Sequence, residues 1–122
     1  MARCDDAGVT VRTRTAPFGV LVVLSLVVLF TPSSGVPSVH PGVDKVIHLA
    51  LFAALALTGR WAGLRPAALA AGLVAYAGIS EVLQAVLPIG RDGGWADALA
   101  DVAGVAVGLA ADRVAARRTG RG

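Results

Sequence analysis

An almost unbroken apolar run near the N-terminus, FGVLVVLSLVVLF from Phe18 to Phe30, constrains this chain more than any other feature. Ser25 is the single polar residue in the run, and a helix can satisfy a serine hydroxyl internally. Such a run predicts either a membrane-crossing helix or a cleavable signal peptide. Arg3, Arg12 and Arg14 before the run suit a signal peptide, but three further apolar segments keep the chain in the membrane in either case.

Those three segments, together with the first, predict four helices. The second runs from Asp44 to Trp61 and the third from Pro66 to Leu87. As a helix the third is about 33 Å long, which matches a hydrocarbon core of about 30 Å. The fourth, from about Ala96 to Val114, is the least apolar because it carries three aspartates. No alternation typical of strands competes, and the short connections predict an antiparallel bundle.

The composition favours a membrane location for this bundle. Hydrophobic residues make up 56% of the 122 residues and charged residues 16%, and the mean hydropathy is +0.72. A soluble four-helix protein is the alternative, but its helices need a polar face, whereas the first and third segments are apolar all round. We therefore expect an all-α integral membrane four-helix antiparallel bundle over residues 16–114, with tails at 1–15 and 115–122.

Basic residues indicate which way the bundle faces. Lys45 and Arg91 fall on one side, and the other nine of the 11 lysines and arginines fall in three stretches that four spans bring together on the opposite side. Because short basic loops stay in the cytoplasm, we expect both termini to be cytoplasmic and the protein to be multi-pass in the cell membrane. The basic pI then reflects topology, so we expect no nucleic acid, and the basic tail can contact membrane lipids. The nine residues are Arg3, Arg12, Arg14, Arg60, Arg65, Arg113, Arg117, Arg118 and Arg121.

Polar residues are concentrated in the outward half of the last three segments. Each of these segments carries a pair spaced three or four residues apart, so that both members share one helix face. Ionisable residues inside a membrane are costly and are read first as functional. We therefore expect one outward-facing, ligand-binding pocket formed by Asp44, Lys45, His48, Glu81, Gln84, Arg91, Asp97 and Asp101.

The fourth segment indicates where its acids point. Asp97, Asp101, Gly104 and Gly108 follow the spacing i, i+4, i+7, i+11, which is a single stripe on a helix. Ala100, Gly104 and Gly108 also form a seam of small residues spaced by four. We expect this seam to pack tightly within the bundle, with the two acids facing inward.

At these residues the sequence resembles the VanZ-like family of small bacterial membrane proteins, over about Ser38 to Ala110. The resemblance implies a four-helix membrane protein, and the founding member of the family is associated with low-level resistance to the glycopeptide teicoplanin. The family usually has Asn where this chain has Asp101. The extra carboxylate either makes the pocket more anionic or is protonated. The matching elements are Asp44–His48 (DKVIH), Glu81–Gln84 (EVLQ), Pro88 with Arg91, and Asp97 with Gly104. The resemblance implies that Asp44, Lys45, His48, Glu81, Gln84, Arg91 and Asp97 are functional.

Several functions are compatible with such a pocket. Binding of a cell-envelope component, such as a lipid-linked cell-wall fragment, or of a glycopeptide is the first hypothesis. His48 and Glu81 are candidates for proton transfer if the component is also modified. The alternatives are a divalent-metal site made by His48, Glu81 and Asp97 with Asp44 or Asp101, and a structural membrane protein without catalysis. The sequence predicts no cofactor.

Overall fold

The computed structural model describes residues 2–31, 42–88 and 94–120. These residues form an all-α four-helix bundle, as the sequence predicts. Two connecting segments, residues 32–41 and 89–93, lie outside the described residues, and so does the predicted site residue Arg91. The helices are α1 (Ala2–Phe30), α2 (Val43–Trp61), α3 (Pro66–Val86) and α4 (Trp95–Arg118).

Two hydrogen bonds between helices mark the two ends of the bundle and fit an order in which α1 and α3 run one way and α2 the other. At one end Arg14 Nε of α1 donates to the Trp61 carbonyl at the end of α2, over 3.1 Å. At the opposite end Gln84 Nε2, near the end of α3, donates to the Leu29 carbonyl near the end of α1, over 2.7 Å. The two ends are called here the arginine end and the acidic end, after the charged residues that each one carries.

The helix bounds differ from the predicted segments mainly at the two outer ends of the chain. Helix α1 begins at Ala2, so residues 2–15, which the sequence assigns to a tail, continue the helix. Helix α4 continues past Val114 to Arg118. Charged residues end an apolar span but do not end a helix, since arginine and alanine are both strong helix formers.

The core is built around α2, which contacts all three other helices. Leu51, Phe52, Leu55 and Ala56 of α2 are buried between the other helices. The Phe52 ring stacks on Tyr76 of α3 with centroids 5.6 Å apart. The Tyr76 hydroxyl and the Ser25 hydroxyl of α1 share a 2.8 Å hydrogen bond, so the one polar residue of the first apolar run is satisfied inside the bundle.

Helices α2 and α4 make the closest approach in the bundle. A Cβ atom placed on Gly108 would lie 2.5 Å from the Ala53 carbonyl oxygen and 2.7 Å from Ala56 Cβ. A Cβ atom on Gly104 would meet the Leu49 carbonyl oxygen and lie 3.0 Å from Phe52 Cβ. The predicted tight packing of the small-residue seam within the bundle is confirmed, and it holds α4 against α2 at the depth of the polar cluster.

Two of the four helices are long and apolar enough to cross a membrane within the described residues: Ala7–Phe30 of α1 and Pro66–Val86 of α3. Helix α2 is interrupted near its ends by Asp44, Lys45 and Arg60, and α4 carries three aspartates. The sequence predicts four spans, and two of the helices meet that description by length and composition.

Candidate functional site

A hydrogen-bonded histidine–aspartate pair lies at the centre of the acidic end. His48 is on the first turns of α2 and Asp101 on the second turn of α4, and the small residues of α4 let the two helices approach closely. His48 Nδ1 and Asp101 Oδ1 are 2.8 Å apart. The two residues are 2% and 0% exposed. An ionised carboxylate only accepts hydrogen bonds, so when Asp101 is ionised it orients the imidazole by accepting from Nδ1–H.

Three further predicted residues surround this pair nearer to the surface. Asp44 Oδ1 lies 3.8 Å from His48 Nε2, one helical turn away on α2. Lys45 Nζ lies 3.5 Å from Asp97 Oδ1 of α4. The side chains of Asp44 and Lys45 are 43% and 51% exposed, whereas that of Asp97 is 15% exposed. The cluster therefore has an accessible rim of Asp44 and Lys45 and a buried interior of His48 and Asp101.

Glu81 of α3 reaches the interior of the cluster from the opposite side. Its Oε2 atom accepts a 2.7 Å hydrogen bond from the backbone N–H of Gly94, just before α4 begins. Its Oε1 atom and the Oδ2 atom of Asp101 are buried and have no hydrogen-bond partner among the described residues. A buried acceptor without a donor costs about 1–3 kcal/mol, so these two oxygens are places where a bound group would stabilise the protein.

Gln84, the remaining predicted residue that the structure describes, has a partner outside the cluster. Its side-chain amide donates to the Leu29 carbonyl, one of the last carbonyls of α1 that lack a partner within their own helix. Gln84 is 3% exposed. Gln84 therefore attaches α1 to α3 beside the site.

The structure thus brings together seven of the eight predicted site residues at one end of the bundle, and the eighth, Arg91, lies outside the described residues. Sequence reasoning missed the backbone partners at Gly94 and Leu29. Any residue type can supply a backbone group, so no side-chain pattern could have revealed those contacts.

The arginine end has a separate set of polar contacts. Arg60 Nε of α2 donates to Asp112 Oδ2 of α4 over 3.0 Å, and Arg60 also donates to the Leu64 carbonyl. The side chains of Arg60 and Asp112 are 29% and 27% exposed, so this pair adds about 0–1 kcal/mol to stability. Asp112 lies at the opposite end of the bundle from the cluster, so its substitution serves as a control for substitutions of the site acids.

Cavities in the described part of the chain include an apolar groove of about 310 Å³ between α1 and α3. It is lined by residues such as Phe18, Leu69, Gly72 and Tyr76. Two more polar clefts, of about 530 and 450 Å³, lie around Arg60 and Asp112. None of these three is lined by the polar cluster.

The donors and acceptors of the cluster define what it can do chemically. Four carboxylates meet one lysine and one imidazole, so acceptors outnumber donors among the described side chains. Such a site suits a group that brings donors or positive charge: an ammonium, hydroxyl or amide N–H group, or a metal cation. Ser80, a buried hydroxyl beside Glu81 in the chain, donates to the Ala77 carbonyl over 2.9 Å.

Comparison with known proteins gives no match for this chain to a family model, a curated protein or a solved structure.

Proposed function

We propose that this chain is a multi-pass protein of the cell membrane. Its acidic end binds a group rich in hydrogen-bond donors, from a cell-envelope component or a glycopeptide, at the extracytoplasmic face of that membrane. The observation that carries the proposal is the convergence of six polar side chains from α2, α3 and α4, in which Glu81 Oε1 and Asp101 Oδ2 are buried with neither a hydrogen bond nor an ion pair among the described residues. If the cluster served only stability, the protein would be more stable with those oxygens hydrogen-bonded or with apolar side chains in place of the acids.

A membrane location is supported by the apolar exterior of the bundle. Large apolar side chains are exposed on every helix, including Val20 and Val23 of α1, Val82 of α3 and Val107 of α4. A small soluble domain rarely exposes contiguous apolar surface of this extent. In lipid the same side chains have a favourable environment.

The charges of α2 and α4 are compatible with insertion because the bundle pairs them. Asp101 pairs with His48 and Asp112 with Arg60. Intramembrane charges are tolerated when they face the interior of a bundle and pair there. Helices α2 and α4 can therefore cross as part of the bundle although neither is apolar enough alone.

The cluster accepts donors, and cell-envelope glycans and glycopeptides are rich in hydroxyl, amide and amine donors. The rim formed by Asp44, Lys45 and Asp97 is accessible from the end of the bundle. Lys45 adds one cationic donor that can grip a carboxylate or a phosphate of the same ligand. The resemblance to the VanZ-like family supports teicoplanin as the first glycopeptide to test.

Expression of the chain in a glycopeptide-susceptible bacterium should raise the minimal inhibitory concentration of teicoplanin several-fold. Glu81→Gln and His48→Ala should each return it to the level of the empty vector, because they remove an acceptor and the central imidazole of the cluster. Asp112→Asn, at the arginine end, should retain the increase. Immunoblots of membrane fractions would verify equal amounts of each variant. Unchanged susceptibility with the wild-type chain, or full resistance with both cluster variants, would refute the proposal.

The orientation is tested separately with reporter fusions. A reporter fused after Gly122 should be active only as a cytoplasmic reporter, and one inserted between residues 33 and 41 only as an extracytoplasmic one. The physical reason is the concentration of basic residues at the arginine end, which short loops keep in the cytoplasm. The reverse pattern would put the acidic end in the cytoplasm and exclude an outer-surface ligand.

A further inference from the structure

Two carboxylates and one imidazole meet in the interior of the bundle. His48, Glu81 and Asp101 come from three different helices, and each offers one ligand atom within 4.8 Å of the other two. Their exposed fractions are 2%, 8% and 0%. From this geometry we infer that the three residues bind one divalent transition-metal ion, Zn²⁺ or Mn²⁺.

Each carboxylate has one oxygen engaged and one oxygen available. Glu81 Oε2 accepts from the Gly94 N–H, which leaves Oε1 without a partner among the described residues. Asp101 Oδ1 is hydrogen-bonded to His48, which leaves Oδ2 without a partner among the described residues. Two buried carboxylates facing one imidazole carry excess negative charge in an apolar bundle, and one divalent cation would compensate the charge and satisfy both oxygens.

The imidazole has a carboxylate near each ring nitrogen, so either nitrogen can face a metal while the other faces an acid. A ligating histidine commonly gives its other ring N–H to a carboxylate, which fixes the ring and its tautomer. Asp44 Oδ1 lies 3.8 Å from His48 Nε2, while Nδ1 faces Asp101. For a metal to bind Nδ1, a neutral imidazole would carry its single proton on Nε2, on the side of Asp44; from a doubly protonated ring, the Nδ1 proton would leave to solvent.

The donor set indicates the class of ion. One imidazole with two carboxylates suits Zn²⁺ or Mn²⁺, whereas Mg²⁺ and Ca²⁺ prefer oxygen ligands alone. Ligand atoms of a tetrahedral Zn²⁺ site with bonds of about 2.1 Å lie about 3.4 Å apart. Small side-chain rotations would bring the three residues to that spacing. Lys45, the single lysine of the chain, pairs with Asp97 and not with any of the three ligands.

This inference rests on the same cluster as the proposed function, but its test measures metal content rather than drug susceptibility, so either can fail alone. The full chain, carrying an affinity tag without histidines, would be purified in a mild detergent, treated with a chelator and titrated with Zn²⁺ or Mn²⁺. We expect about one ion per chain by elemental analysis, with Mg²⁺ unable to compete at equal concentration.

Isosteric variants connect the ion to these residues. Glu81→Gln and Asp101→Asn should each weaken Zn²⁺ affinity by about tenfold or more, while Asp112→Asn should bind like the wild type. Loading the wild-type chain with Co²⁺ in place of Zn²⁺ should give the visible absorption bands of a nitrogen- and oxygen-ligated ion. This measurement uses no variant, so it does not depend on whether the variants fold. Absence of a stoichiometric ion in the wild-type chain, or equal affinity in both site variants, would overturn the inference.

Discussion

Replacing Gly108 by alanine should destabilise the bundle by about 1–3 kcal/mol, and replacing it by leucine should prevent α4 from packing on α2. The added Cβ atom would lie 2.5 Å from the Ala53 carbonyl oxygen and 3.1 Å from Ala53 Cα. These are backbone atoms of α2, which cannot move aside as the end of a flexible side chain can. Alanine is a better helix former than glycine by about 1 kcal/mol, but that gain is smaller than the cost of separating two packed helices.

A matched control is available on α3. Gly72 and Gly78 lie in open space, with nothing within 4 Å of an added Cβ atom. Gly78→Ala should therefore leave the melting temperature in detergent unchanged or slightly raised, whereas Gly108→Ala should lower it. Circular dichroism would follow the unfolding of both variants. Equal melting temperatures for the two would mean that the close approach of α2 and α4 does not determine stability.

The α2–α4 contact also illustrates what the sequence could predict. The spacing of Asp101, Gly104 and Gly108 places them on one face of a helix, and all three are buried in the structure. Helical periodicity is a local property, so it can be read from one segment. Burial of an acid beside two glycines further implies that the face packs against another helix.

The partner of each polar residue could not be predicted in the same way. Asp44 is one turn from His48 in the sequence, yet the shortest contact of the imidazole is to Asp101, 53 residues later. Glu81 and Gln84 are bonded to backbone groups of Gly94 and Leu29. Which groups meet depends on how the helices rotate and slide against one another, and that is decided by packing across the whole bundle.

The helix ends show a related limit. Hydropathy marks where a chain would leave a membrane, and it predicts an end near Val114. The backbone follows helix propensity instead, so α4 extends to Arg118 and α1 begins at Ala2. An apolar span and a helix are different quantities, and in this chain they have different bounds.

The His48–Asp101 pair should have the largest energetic coupling of any polar contact described here. Asp101→Ala leaves a buried imidazole without its acceptor, and His48→Ala leaves a buried carboxylate with neither oxygen paired. Breaking a buried pair by removing one partner costs about 3–5 kcal/mol. The double variant removes both groups, so it should be less destabilised than the sum of the single variants by about 1–3 kcal/mol.

Unfolding of the wild type, the two single variants and the double variant in detergent would measure this coupling. The Arg60–Asp112 pair provides the comparison, because its partly exposed groups should couple by less than about 1 kcal/mol. Simple additivity at His48 and Asp101 would show that the contact between the two side chains adds no stability of its own.

The same double variant separates folding from function. If the pair serves only to hold α2 against α4, a double variant that stays folded in the membrane should retain any resistance conferred by the wild-type chain. We expect resistance to be lost, because the imidazole and the Asp101 carboxylate are among the groups proposed to bind the ligand. A folded but inactive double variant would assign these two residues to the site, since removing both leaves neither an unpaired His48 imidazole nor an unpaired Asp101 carboxylate to which the loss could be attributed.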